Sequence, residues 1–173
     1  TDTVQEELTW KNRKVTEEQL EELLAHLHLR HYRKDFPLAL SKGQRLRTVL
    51  GALLARHTDL LLLDEPTTGQ DQQSLNEIKR LLLYAASEGR TVFFCTHDAE
   101  LTADIADQVI VLASGHSIGE GTPGEILGDR DVLLRGGLSV PPLLRLSEML
   151  SIPPCITAKE VMRHVHAPAL GGQ

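Results

Sequence analysis

The sequence predicts an α/β fold, with strands alternating with helices in a layered core. Residues 60–63, four leucines, are too short a run for a helix and apolar on both faces. A parallel strand buried between helix layers reads this way. Residues 91–96 read as a second buried strand, and the segments around both repeat leucine or isoleucine at helical spacing.

Taken in order, Thr16-Glu17-Glu18-Gln19 is a capping-box pattern. Leu20, Leu23, Leu24 and Leu27 follow on one helical face, and His26, His28, Arg30 and His31 suit the negative end of that helix. Beyond Pro37 the pattern turns helical again at Ser41. Leu46, Val49, Leu50, Leu53 and Leu54 form its stripe, which fades near His57. After the first strand, Pro66 and Gly69 break the chain. Leu75, Ile78 and Leu82 mark a third helix, closed by Gly89. The second strand ends at His97, and a short helix with Leu101 and Ile105 inward follows. Residues 109–112 and 116–118 pair as a hairpin around Ser114-Gly115. Thr122-Pro123-Gly124-Glu125 starts a brief helix. Pattern weakens beyond Gly128, where two helices are expected over 143–150 and 158–165, with a frayed tail over 167–173.

The 173 residues are 41% hydrophobic and 24% charged, which fits one ordinary globular domain with a real core. Net charge is −6 and no basic stripe is visible, which argues against a nucleic-acid partner. No apolar run approaches the ~20 residues of a spanning helix, and no signal peptide opens the chain. The first residues read like the middle of a domain. Cys95 and Cys155 lie far apart without a CxxC; Cys95, in a strand pattern, is expected as a buried free thiol, which suits a cytosolic compartment.

Three groups of residues carry chemistry. Ser41 and Gln44 complete a second capping box, so Ser41-Lys42-Gly43-Gln44 describes a well-capped helix. The same geometry presents backbone N–H groups to an anion, with Gly43 allowing close approach. Asp64 and Glu65 end an apolar strand, where acids are costly to bury unless something uses them. Neighbouring strand residues face opposite ways, so Asp64 is a candidate for Mg²⁺ through a water and Glu65 for orienting or deprotonating an attacking water. His97 repeats the arrangement on the second strand, and ligands of α/β sheets bind beyond the strand ends. This chemistry suits a nucleoside triphosphate. Yet no Gly-x-x-x-x-Gly-Lys-Ser/Thr loop is found in these residues.

Together these residues resemble the second half of an ATP-binding cassette (ABC) transporter ATPase. Leu40-Ser41-Lys42-Gly43-Gln44 looks like the family's signature, with Arg47 at its usual following arginine. Residues 60–66 resemble the Walker B strand with its catalytic glutamate, 67–71 the D-loop, and Thr96-His97-Asp98 the switch-histidine motif. The likeness runs from Thr1 to about Leu127. Thr3-Val4-x-Glu-Glu-Leu and Gly121-Thr-Pro-Gly-Glu-Ile-Leu are similar to the energy-coupling-factor type, which powers uptake of vitamins, cobalt or nickel. The stretch from Gly137 through Pro141-Pro142 to Leu150 is like that type's C-terminal extension, which contributes to dimer contacts.

The resemblance implies a partial P-loop NTPase core divided in three. A helical subdomain with the signature spans 1–57, the C-terminal half of the nucleotide-binding core 58–128, and a C-terminal extension 129–173. It implies ATP and Mg²⁺ as cofactors, held between two cassettes paired head to tail. Ser41, Lys42, Gly43 and Gln44 would serve the nucleotide of the partner cassette, Asp64 would support Mg²⁺, Glu65 would act as general base, and His97 would position the γ-phosphate. Asp71 would couple the two sites. The implied partners are a second ABC ATPase domain and transmembrane transporter subunits, with the chain cytoplasmic on the inner face of the membrane.

Four departures accompany the match. The phosphate loop and Q-loop are expected upstream of Thr1, so a chain of these residues alone should be inactive; Gln5 belongs to the segment after the Q-loop and is not taken as its glutamine. Lys42 replaces the usual glycine and adds positive charge near a phosphate. Gln70 replaces an apolar residue, and Gly51 weakens its helix by ~1 kcal/mol relative to alanine. The spacings His26-x-His28-x-x-His31 and His164-x-His166 look metal-like, but residues two apart on a helix diverge, and solvated helix ends describe them better. Glu6-Glu7 and Glu17-Glu18-Glu21-Glu22 read as exposed helix faces. Alternatives are a non-transport ATPase of the superfamily, in DNA repair or translation, and a non-catalytic module lending its signature face to a partner. The first would carry long heptads or basic arms, and neither is seen.

Overall fold

Side-chain caps fix where the helices begin. A computed structural model of the chain describes residues 1–10, 15–56 and 58–165. Thr3 caps α1 (Val4–Thr9) and Thr16 caps α2 (Glu17–His26). In the expected box, Gln19 N–H donates to Thr16 Oγ1 at 3.2 Å and Thr16 N–H to Gln19 Oε1 at 3.0 Å. Only His26 of the four expected basic residues lies in the last turn of α2. His28 adopts φ +53° and reverses the chain, so Arg30 and His31 fall in a 3₁₀ turn instead. His26 stacks on Tyr84 with ring centroids 5.0 Å apart. His164 lies in the last turn of the final described helix, and His166 and the expected tail lie outside the described residues.

Arg33 gathers the first two helices. Its Nε donates to Gln5 Oε1 at 2.7 Å, and Nη1 pairs with Glu17 and Glu21. Gln5 therefore has a structural partner, and part of the acidic face of α2 is ion-paired rather than simply solvated.

The next helix, α3 (Lys42–Leu54), ends before His57, which lies outside the described residues. Its buried positions are Thr48, Leu50, Gly51 and Leu54, whereas Val49, expected inward, is exposed. Thr48 can be buried because its hydroxyl donates to the Gln44 carbonyl at 2.9 Å. A Cβ at Gly51 would strike the Leu27 side chain and approach Leu8 Cδ2 to 2.8 Å. Glycine here is a groove that lets Leu8 of α1 and Leu27, just past α2, reach the helix backbone.

Strands β1 (Leu60–Asp64) and β2 (Thr91–Cys95) pair in parallel, joined by α4 (Gln72–Ser87). Gly89, at φ +82°, follows the end of α4 as expected. The strands differ from expectation in burial. Leu61 is buried, but Leu60, Leu62 and Phe93 are about half exposed or more. Among the described residues this sheet has two strands, and its other face is open. Cys95 shares the open alternation with Thr91 and Phe93 and is exposed, contrary to the expected buried thiol. Cys155 is the buried one; burial raises its thiol pKa.

Contacts divide the chain into two compact units, Thr1–Cys95 and Thr96–Gln173. The second begins with α5 (Ala99–Ile105), burying Leu101. Strands β3 (Val109–Ala113) and β4 (His116–Gly121) form the expected hairpin, extended to Gly121, which pairs with Val109. Ser114 and Gly115 both have positive φ, as the tight hairpin turn demands. Thr122 and Glu125 box α6 (Pro123–Leu127). Asp129 caps α7 (Arg130–Arg135), a helix not anticipated in a stretch without clear pattern. Then come α8 (Pro142–Met149) and α9 (Ala158–Val165). Leu127, Leu133, Leu144 and Ile156 form a buried cluster of this unit, which draws in residues from α7, α8 and the segment before α9.

Candidate functional site

The start of α3 is built from its own side chains. Gln44 N–H donates to Ser41 Oγ at 3.3 Å, and Ser41 N–H donates to Gln44 Oε1 at 2.9 Å. Capping uses acceptor capacity of the Ser41 hydroxyl and leaves its O–H free to donate to an anion. The helix supplies its positive end in the same direction.

Opposite stands the start of α4. Asp71 caps it, accepting from Ser74 N–H at 2.7 Å. That bond, the Ser74 hydroxyl and the nearby Arg47 charge hold the Asp71 carboxyl below its ordinary pKa. The two helix starts meet closely. A Cβ on Gly43 would lie 2.6 Å from Ser74 Oγ, so the glycine permits the approach as well as any ligand access. One turn on, Arg47 Nη1 pairs with Glu77 Oε2 at 2.5 Å, with both side chains largely buried. Such a pair fixes geometry more than it adds stability.

Ser41, Lys42, Gly43, Arg47, Gln70, Asp71, Ser74 and Glu77 line one cavity of about 260 Å³. The structure thus brings together Ser41, Lys42 and Gly43 with Asp71, which stand in two separate motifs of the sequence. Lys42 Nζ, expected near a phosphate, donates to the Gly69 carbonyl at 3.1 Å. Sequence reasoning missed Ser74 and Glu77. Their signal is weak, because they lie about thirty residues from their partners and look like ordinary helix polar positions.

The acidic tip is separate from this cavity. Asp64 is exposed at the end of β1, so the expected burial cost is not incurred there. Glu65 lies beyond the strand at φ +45°, where strand alternation no longer sets its direction. Its N–H donates to the Cys95 carbonyl at 2.9 Å, and its Oε2 accepts from Thr68 Oγ1 at 3.0 Å. A non-glycine residue at positive φ is uncommon and clusters where structure over-determines it. Here the parallel partner strand and the turn at Thr68 hold it. His97 is exposed between β2 and α5, in the second unit. Its neighbours Thr96 and Asp98 form the cap of α5: Asp98 N–H donates to Thr96 Oγ1, and Asp98 accepts from Glu100 and Leu101.

No three His, Cys, Asp or Glu side chains among the described residues could cage a metal. One exposed carboxylate does suit Mg²⁺, which keeps waters and takes its other ligands from phosphates. The Ser41 hydroxyl and the α3 terminus likewise fit a phosphate group on one side. No helix among the described residues is long and apolar enough to cross a membrane.

A family model described as "ABC transporter" matches residues 1–68. The energy-coupling factor transporter ATP-binding protein EcfA of Methanothermobacter thermautotrophicus is 38% identical over 125 residues, 72% of this chain and 40% of the relative. EcfA2 of Methanospirillum hungatei is 36% identical over 143 residues, 80% of this chain and 36% of the relative. The chain therefore spans less than half the length of these curated relatives. Among solved structures, cbiO1 of Clostridium perfringens, described as part of the ABC transporter complex cbiONQ, superposes with a TM-score of 0.66 at 27% identity. That match covers 88% of this chain and 62% of cbiO1. The family model, these relatives and the shared fold agree that the chain belongs to the ATPase domains of ABC transporters.

Proposed function

We propose that this chain supplies the signature face and the hydrolytic residues of an ATP-binding subunit in an ABC-type membrane importer. The observation that carries the reading is the shared cavity: the capped start of α3 and the Asp71 loop present one polar surface. In this reading the surface meets the terminal phosphate held by a second cassette, and ATP-driven pairing of cassettes powers import. Ser41 donates its O–H, and Gly43 leaves the α3 backbone accessible. Gln44 acts through the cap it forms with Ser41. Glu65 takes the proton of the attacking water, His97 orients that water and the γ-phosphate, and Asp64 would hold Mg²⁺ through a water. Magnesium, when bound with ATP, neutralises phosphate charge. Asp71 links one site to the other through its loop.

The three-part division at 57/58 and 128/129 is functional in this reading and distinct from the two compact units. Its partners are a second ABC ATPase domain and transmembrane subunits, which hold it at the cytoplasmic face of the membrane. Likeness to the EcfA relatives supports an energy-coupling-factor type of importer. Residues 1–173 contain no phosphate loop, so alone they should bind ATP weakly.

The test is Glu65→Gln in the full-length protein. Turnover should fall by about 10²-fold or more, the size of a general-base contribution, while ATP remains bound. Wild-type turnover would remove Glu65 from the role.

A further inference from the structure

Lys42 is the first residue of α3, where the helix dipole disfavours a cation. Its ammonium is directed onto the Gly69 carbonyl at 3.1 Å. That carbonyl belongs to the peptide unit whose other end, Gln70 N–H, donates to the Thr67 carbonyl at 3.2 Å. Thr67 is buried, so the far anchor of this turn is fixed. Lys42 thus completes the hold on one peptide plane, gripped at its oxygen by α3 and at its N–H by the turn. Glycine suits the turn, whose φ there is +68°, and a Cβ at Gly69 would crowd Lys42 Nζ at 2.5 Å. Behind it, the Gly43–Ser74 contact and the Arg47–Glu77 pair already press α3 against α4. The loop between them, carrying Asp71, has Lys42 as its strap to α3.

We propose that Lys42 is a positioning residue, strapping the 67–71 loop to the signature end of α3 rather than binding nucleotide itself. The kinetic part rests on the reading that this loop faces a second cassette. A charged donor on a carbonyl is stronger than a neutral one, and losing it frees the Gly69–Gln70 peptide to rotate. The loop would then sample orientations unsuited to pairing, slowing turnover without weakening a nucleotide contact.

The test compares Lys42→Met, which keeps most of the stem, with Lys42→Arg, which keeps a charged donor, in the full-length protein. Hydrogen exchange over 67–71 without nucleotide should quicken about fivefold in Lys42→Met, the factor for one ordinary hydrogen bond. In the same variant kcat should fall about three- to fivefold with the KM for ATP unchanged, the two parameters separating positioning from binding. Lys42→Arg should restore both. Unchanged exchange in Lys42→Met, failure of arginine to restore it, or a raised KM at constant kcat would each overturn the proposal. The exchange measurement needs no nucleotide, so it decides the strap even if Glu65→Gln shows the ATPase reading to be wrong.

Discussion

The corner where α3 meets α4 and the sheet of β1 and β2 belong to one compact unit and are completed differently. In the corner, most polar groups find partners within the unit, Ser41 with Gln44, Lys42 with Gly69, Arg47 Nη1 with Glu77 and Asp71 with Ser74, although the buried Arg47 Nε has none among the described residues. In the sheet, Leu61 is covered while its neighbour Leu62 is 67% exposed. Hydrogen bonds and caps are short-range and can be satisfied by a few nearby residues. Covering an apolar sheet face needs a whole layer. The corner is therefore held by its own polar pairs, whereas Asp64 ends a strand with one face open.

The largest contrast should come from truncating the two adjacent leucines in residues 1–173. Leu61→Ala should cost ~2–5 kcal/mol in urea unfolding, as buried leucines do. Leu62→Ala should cost under ~1 kcal/mol, since little of its surface leaves water on folding. Equal losses would mean that the open face is covered after all. A large loss for Leu62→Ala only in the full-length protein would identify another segment as its cover.

A smaller effect separates local propensity from packing in α3. Gly51→Ala should gain ~1 kcal/mol by helix propensity alone. Overpacking against Leu27 and Leu8 costs ~1–3 kcal/mol, so thermal unfolding should show net destabilisation. A gain in Tm would mean that those leucines repack freely.

The smallest effect is electrostatic and concerns the polar corner. Asp71 has a carboxyl held below its ordinary pKa, chiefly by the Ser74 N–H. A depressed folded value makes its contribution complete above the unfolded pKa, ~3.9. The contribution is lost as pH falls through the lower folded value. The stability difference from Asp71→Asn should therefore shrink on acidification below ~3.9, and a constant difference would remove this role. Asp71 is solvent-accessible, so salt screening should keep the effect small.

Much of this was legible in the residues themselves. The capping boxes at Thr16 and Ser41 were readable because donor and acceptor lie three residues apart, whereas at Thr122 only the helix start was read, from Pro123, and the box with Glu125 was not. The hairpin at Ser114-Gly115 and the Gly89 stop were readable because positive φ selects few residue types. The place of Asp64 at the end of an apolar strand was readable from the leucine run, but its exposure and the turn of Glu65 to positive φ were not. Harder to read were α7, whose six residues are too few for a clear period, and the exposure of Cys95, which depends on what covers its face.

Most element boundaries, and the motifs that stand at them, follow from the order of residues alone, because caps, turns and periodicity act over a few positions. Packing in three dimensions was needed to make Gly51 a groove, to set Glu77 against Arg47 and to bring Lys42 onto Gly69. Those outcomes depend on which helices and turns lie side by side, and the residues they join stand apart in the chain. Distance along the sequence is what hides them.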